Sequence, residues 1–166
     1  MKSHQTFNEI LLDTAFYTMA CDGNIAKEEI QLIKSYSEKF SDLGATEVEN
    51  IINKNIVQLN KHGDMIINRF LRKMKNLNLS RAEQKALIDL VIRMIYSDEE
   101  VEYNEIRFFR HLKYNLGIVD DLILEVNPDA KELLGDEIFV NDFSQSSRNQ
   151  HFLDKTNIVF SAITFS

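Results

Sequence analysis

Apolar residues recur along most of this chain at the three- and four-residue spacing that predicts amphipathic α-helices. Two stretches, residues 7–21 and 82–96, are apolar nearly all round the helix, as in ALIDLVIRMIY at residues 86–96. A helix of this kind is buried on most of its sides. We therefore predict that these two helices form the centre of the fold and pack on each other.

The chain contains an internal repeat, in which residues 20–40 align with residues 96–116 without a gap. The alignment pairs Asp22 with Asp98, Glu29 with Glu105 and Ile33 with Phe109. Each copy begins at the end of an apolar helix, continues through an acidic turn and enters a second helix, over about 27–40 and 102–116. Internal repeats set architecture, so we predict two pseudo-repeated helical hairpins.

Turn and cap signals place the remaining helices. Capping boxes, in which a hydroxyl and a glutamate satisfy the first N–H groups of a helix, start at Thr46 and at Ser80. Further helix stops or starts are indicated by Gly44, His62-Gly63-Asp64, Gly117 and Pro128. The predicted fold is an all-α bundle of about seven helices over residues 1–135, followed by a short extended C-terminal tail.

The composition changes in this tail, residues 136–166. Two segments, EIFVNDF and NIVFSAITF, are rich in β-branched and aromatic residues, which favours β-strand character. The tail either docks on the helical body or waits for a partner. We expect it to be covered, because an exposed IVFSAITF would promote aggregation.

Composition and charge narrow the classes of function. The apolar fraction is 44%, with one Pro and five Gly, which favours a folded helical chain over a disordered one. The lone Cys21 excludes an intrachain disulfide and fits a reducing, cytoplasmic compartment. We expect no signal peptide or membrane span. The net charge of −7 disfavours nucleic-acid binding, which depends on neutralising phosphates.

The acidic turns carry the candidate chemistry. Asp22-Gly23 followed by Glu29 resembles the second half of an EF-hand loop, but the first ligand positions are missing. The second turn has five acids and no base between residues 98 and 105. Such crowding raises pKa values and destabilises the fold unless a cation offsets it. Oxygen ligands suit Ca²⁺ or Mg²⁺, so the predicted metal ligands are Asp22, Glu29, Asp98 and Glu105.

These turns, each following an apolar helix, resemble those of the TerB-like proteins linked to bacterial tellurite resistance and stress. The resemblance extends over about residues 7–126 and rests on Asp22, Gly23, Glu29, Asp98 and Glu105. It implies an all-helical protein without enzymatic activity that binds a metal or a protein partner through its acidic surface. The same helical fold heads membrane-anchored DnaJ-like co-chaperones, so the implied partners include membrane-associated proteins. The second turn departs from the pattern, with Glu99 where glycine is expected.

Each candidate also has a structural interpretation. Acidic residues in the first turn of a helix interact favourably with the helix dipole and stabilise the helix by about 0.3–1 kcal/mol each. The basic residues Arg69, Arg72 and Lys73 are explained equally well as the solvent-exposed face of a helix. Cys21 is expected to be a buried, unreactive thiol, whereas the turn carboxylates are expected to be exposed. The residues considered for partner binding are Glu28, Glu99, Glu100, Glu102, Arg69, Arg72 and Lys73.

Three functions therefore remain open. The first is a non-catalytic, cytoplasmic TerB-like protein whose turns bind a divalent cation or a basic partner. The second is a metal-dependent hydrolase that uses Asp22 and Asp98 as ligands, for which a cleft between the turns is required. The third is an adaptor whose tail adds a strand to a partner.

Overall fold

The computed structural model describes residues 6–40, 44–97, 101–134 and 160–163, and these residues form an all-α bundle. The predicted fold class is therefore confirmed. Two single 3₁₀ turns, Met74–Asn76 and Lys131–Leu133, accompany the α-helices. The helices in the described part of the chain are α1 (Phe7–Ala20), α2 (Lys27–Phe40), α3 (Ala45–His62), α4 (Asp64–Lys73), α5 (Arg81–Ile95), α6 (Tyr103–Leu116) and α7 (Asp120–Val126).

Helix α1 lies at the centre and packs chiefly against α5, with α2, α3 and α6 also in contact with it. Ten of its residues are buried, including Phe16 and Met19, which are fully inaccessible to solvent. Two polar residues share this environment: the hydroxyls of Thr14 and Thr18 each donate to a backbone carbonyl four residues earlier, at 2.7 Å. The apolar pattern of α1 and α5 thus correctly predicted that they pack on each other.

The second helices of the two aligned segments correspond closely. Helices α2 and α6 contain 14 residues each, and both their first and their last residues fall at aligned positions of the repeat. Each buries an apolar residue at the same aligned position, Ile33 in α2 and Phe109 in α6. The same sequence pattern therefore produces the same local element twice.

Helix boundaries depend on caps, and the cap predictions were partly right. The capping box at Ser80 is present, since the Glu83 N–H donates to Ser80 Oγ at 3.1 Å and the Ser80 N–H donates to Glu83 Oε1 at 2.9 Å. The predicted box at Thr46 is wrong, because α3 already begins at Ala45 and Gly44 is its N-cap residue. Gly44 therefore starts a helix instead of ending one.

Of the other predicted helix ends and starts, those at Gly63 and Gly117 are right and the one at Pro128 is wrong. Gly63 separates α3 from α4 with φ 65° and ψ −151°, and Gly117 ends α6 with φ 67° in the left-handed region that favours glycine. The helix predicted to begin at Pro128 is wrong. Pro128 lies in a turn, and the element that follows it is the single 3₁₀ turn Lys131–Leu133.

The described part of the tail, residues 160–163, lies against α3 and has no regular secondary structure. Phe160 and Ile163 are buried, each with 8% of its surface exposed. The prediction that this part of IVFSAITF is covered is confirmed. The strand character predicted for residues 136–166 falls almost entirely outside the described residues and stays a prediction.

Among the described residues, no helix combines the length and the apolar character that a membrane span requires.

Candidate functional site: two acidic turns beside Cys21

The first acidic turn connects α1 to α2 and is shaped by Asp22 and Gly23. Gly23 has φ 85°, a conformation that side-chain-bearing residues rarely adopt. The Asp22 Oδ1 atom accepts a hydrogen bond from the Asn24 N–H at 3.0 Å, which is the local bond that makes aspartate favourable in turns. The predicted ligand Asp22 is partly exposed at the surface of this turn.

Glu29, the second predicted ligand, folds back onto the start of its own helix. It is buried, with 2% of its surface exposed, and its Oε2 accepts a hydrogen bond from the Ala26 N–H at 3.0 Å. Ala26 directly precedes α2 and its side chain has no oxygen with which to cap the helix. Glu29 supplies one half of a capping box, the half in which the third helical residue binds the cap backbone.

Glu105 occupies the same position in the second turn. It is 1% exposed, and its Oε1 accepts a hydrogen bond from the Glu102 N–H at 2.9 Å, just before α6. The expectation that the turn carboxylates are exposed is therefore wrong for Glu29 and Glu105. Each binds the backbone of its cap residue from the third helical position, and unlike Glu83, which makes the same bond at the start of α5, each is also buried.

Cys21 connects the two turns. Its buried thiol donates to the Thr18 carbonyl oxygen at 3.1 Å and to the Asn104 carbonyl oxygen, in the first turn of α6, at 3.6 Å. Burial raises the pKa of this thiol well above its usual value, and the negative charges of Asp22, Glu105 and Glu29 raise it further. Carboxylates from both turns thus act on one atom. The prediction that Cys21 is buried is confirmed, and a raised pKa disfavours the reactive thiolate form.

The remaining predicted site residues divide into two groups. Asp98, Glu99 and Glu100 lie outside the described residues. The side chains at the other positions considered for partner binding are exposed: Glu28, Glu102, Arg69, Arg72 and Lys73. The basic residues lie on α4, which packs against α3 and α6.

In residues 6–40, 44–97, 101–134 and 160–163, no three His, Cys, Asp or Glu side chains are arranged to hold one ion. Asp22, Glu29 and Glu105 lie in these ranges and do not form such a group by themselves, whereas Asp98 lies outside them. The donor types nevertheless fit a hard divalent cation, since all four predicted ligands are carboxylates.

An open groove of about 430 Å³ lies beside the first turn. One wall is formed by Gly23, Asn24, Ile25 and Ile30, and the other by tail residues 160–163. Sequence reasoning missed the residues that hold this tail, Asn53 and Asn60 on α3. Their spacing of two helical turns was the available signal, because it places both amides on one face of the helix.

The similarity of this chain to known proteins lies in the helical bundle. No curated protein and no solved structure matches the chain. A family model, described as tellurite resistance protein TerB, matches residues 13–124. That range contains both acidic turns and nearly all of the helical bundle, and it is more than half of the chain. The chain therefore belongs to the TerB family.

Proposed function

We propose that this protein is a non-catalytic TerB-family protein whose two acidic turns together bind a divalent cation, Ca²⁺ or Mg²⁺. The proposed ligands are Asp22, Glu29, Asp98 and Glu105. A basic segment of a protein partner is the alternative cationic ligand for the same surface, with Glu28, Glu99, Glu100 and Glu102 around it. The cellular setting that fits the family is a cytoplasmic stress or tellurite-resistance response.

The observation that carries this proposal is the contact of the Cys21 thiol, at the first turn, with the Asn104 carbonyl oxygen at the start of α6. The charges of Asp22, Glu29 and Glu105 accordingly all raise the pKa of this one thiol. Carboxylates from two separate turns thus lie on the same side of the bundle, and like charges in one region repel. Glu29 and Glu105 are also fixed in place by their hydrogen bonds to helix starts. A cation bound between the two turns would offset the repulsion among their carboxylates. A ligand set made only of oxygen atoms suits Ca²⁺ or Mg²⁺ better than a transition metal.

Helix capping is the competing explanation for two of the four carboxylates. It explains the conformation of Glu29 and Glu105, but it does not require the contact between Cys21 and the start of α6. Asp22 and Asp98 are the ligands that distinguish the two explanations, because they precede the helices instead of lying within them. An experiment on the function should therefore change these two aspartates and leave the glutamates intact.

Isothermal titration of the full chain with Ca²⁺, Mg²⁺ and Mn²⁺ tests the proposal. We expect saturable binding of at least one ion at one site, weakened at least about tenfold by Asp22→Asn/Asp98→Asn, which corresponds to about 1.4 kcal/mol. The amide oxygen that this variant places at position 22 can still accept the hydrogen bond from Asn24, so the first turn is preserved. The matched control is Glu47→Gln/Asp121→Asn, which removes two exposed charges from α3 and α7.

The same titration with a lysine-rich peptide distinguishes between a divalent cation and a basic protein segment as the ligand. Ion binding that depends on Asp22 and Asp98 supports the cation site. Peptide binding with no ion binding favours the basic partner. Equal binding by the aspartate variant and the matched control would contradict a site at the turns.

A further inference from the structure

Two asparagine side chains on α3 bind the backbone of the tail. Asn53 Nδ2 donates to the Ile163 carbonyl oxygen at 3.0 Å, and Asn53 Oδ1 accepts from the Ile163 N–H at 2.8 Å. Asn60 makes the same pair of bonds with Phe160, at 2.9 Å to the carbonyl oxygen and 2.8 Å from the N–H. Each side-chain amide thus satisfies both backbone groups of one tail residue, as a neighbouring β-strand would.

The spacing of the two asparagines matches an extended chain. Asn53 and Asn60 are separated by two helical turns, which at a rise of 1.5 Å per residue is about 10.5 Å. Phe160 and Ile163 are three residues apart, which in an extended chain spans about 10–11 Å. The tail residue with the higher number binds the asparagine with the lower number. An extended segment running antiparallel to α3 therefore fits both amides at once.

The four described tail residues differ in their exposure to solvent. Phe160 and Ile163 are buried against the helical body, whereas Ser161 and Ala162 are exposed. The α3 face thus contacts two apolar side chains three residues apart and the backbone groups of those same residues. Recognition of this kind requires an apolar residue at the first and fourth positions and no proline at either, because proline lacks the N–H. The middle residues are unconstrained by these contacts.

We propose that this face of α3 is a docking site for an extended segment of a partner protein with apolar residues at its first and fourth positions. Residues 160–163 are its built-in ligand and occupy it until the partner segment displaces them. The contacts can be made by another chain, because Asn53 and Asn60 bind backbone groups that every residue except proline presents. The open groove beside the tail, which reaches Gly23 and Ile25, leaves room for larger side chains at the exposed middle positions.

A peptide competition on the full chain tests the proposal. The probe is a fluorescent peptide of residues 157–166 with lysines added for solubility, and its binding is measured by fluorescence anisotropy. The tethered tail competes at a high effective concentration, so we expect weak binding to the wild type. Phe160→Ser/Ile163→Ser weakens the internal ligand, and we expect it to bind the probe at least about tenfold more tightly.

Two controls locate the binding. Adding Asn53→Leu/Asn60→Leu to Phe160→Ser/Ile163→Ser keeps the approximate size of both α3 side chains but removes their hydrogen bonds, and we expect probe binding to be lost. In the peptide, a backbone ester in place of the Ile163 amide removes the N–H that donates to Asn53. We expect that probe to bind about tenfold more weakly than one with the ester at Ala162.

Hydrogen exchange on the wild type gives a second measurement that needs no variant. The Phe160 and Ile163 amides should be protected, and excess peptide should accelerate their exchange. Equal probe binding by wild type and Phe160→Ser/Ile163→Ser, or retention of binding without the two asparagines, would overturn the proposal. A wild-type dimer that Phe160→Ser/Ile163→Ser converts to a monomer would also overturn it, since a second copy would then be the occupant.

Discussion

The thiol of Cys21 lies 3.6 Å from the backbone carbonyl oxygen of Asn104, so the end of α1 touches the first turn of α6. This contact brings together two segments that are far apart along the chain. It also requires a small side chain at position 21, which is fully buried. The contact between the first turn and the start of α6 therefore results from core packing and needs no cation.

Glu29 should be important for stability, and its neighbour Glu28 should not. Glu29→Ala removes the hydrogen bond to the Ala26 N–H and leaves space in a buried site, so we expect a loss of roughly 1–2 kcal/mol in the free energy of unfolding. Glu28→Ala changes an exposed residue in the same helical turn, and we expect a change within about 0.5 kcal/mol. Urea denaturation measures both. Equal losses in the two variants would mean that Glu29 does not act as a cap.

The buried thiol should make stability depend on pH in the alkaline range. The pKa of Cys21 is raised in the folded protein, whereas an unfolded cysteine titrates near about 8.5. The folded state therefore holds its proton where the unfolded state releases it. The stabilisation is complete below the unfolded pKa and is lost as pH rises toward the folded pKa, by up to about 1.4 kcal/mol per pH unit.

Urea denaturation of wild type and Cys21→Ala between pH 7 and pH 10 measures this contribution. The difference between the two proteins should be constant below about pH 8 and should change steadily above it, with the wild type losing stability faster. Other groups titrate in both proteins and cancel in the difference. A difference that stays constant across the whole range would show that the folded and unfolded thiols have the same pKa.

The two capping boxes in the sequence should behave differently. Ser80→Ala removes an observed N-cap hydrogen bond of α5, and we expect it to cost about 1 kcal/mol in the free energy of unfolding. Thr46→Ala changes an exposed residue inside the first turn of α3, and we expect an effect within about 0.5 kcal/mol. Thermal unfolding of both variants provides the comparison. A larger loss for Thr46→Ala would place the start of α3 later than Ala45.

Much of the fold was predictable because helical periodicity and core burial agree. The burial of α1 and α5 follows from their broad apolar faces, and the aligned boundaries of α2 and α6 follow from the repeated sequence pattern. The start of α3 did not, because Gly44 adopts the extended N-cap conformation without a capping side chain. The local pattern predicted the right order of elements there but the wrong residue for the boundary.

The candidate site was predictable in its location but not in its burial. Charge density identified both acidic turns, and the repeat paired Glu29 with Glu105. Carboxylates are usually exposed, and that general expectation hid their inward orientation toward helix starts. The docking of residues 160–163 on Asn53 and Asn60 joins segments about one hundred residues apart. The spacing of the two asparagines places them on one helix face, but it does not specify which distant segment binds there.

The most direct measurement is thermal unfolding of the wild type and Asp22→Asn/Asp98→Asn with and without Ca²⁺, Mg²⁺ and Mn²⁺. An ion at about one hundred times its dissociation constant stabilises a protein by roughly 2.7 kcal/mol, or roughly 5–10 °C for a domain of this size. We predict such a shift for one ion in the wild type and its loss in the variant. No shift with any ion, together with a variant more stable than the wild type, would contradict a cation site and leave mutual repulsion of the carboxylates as their main effect.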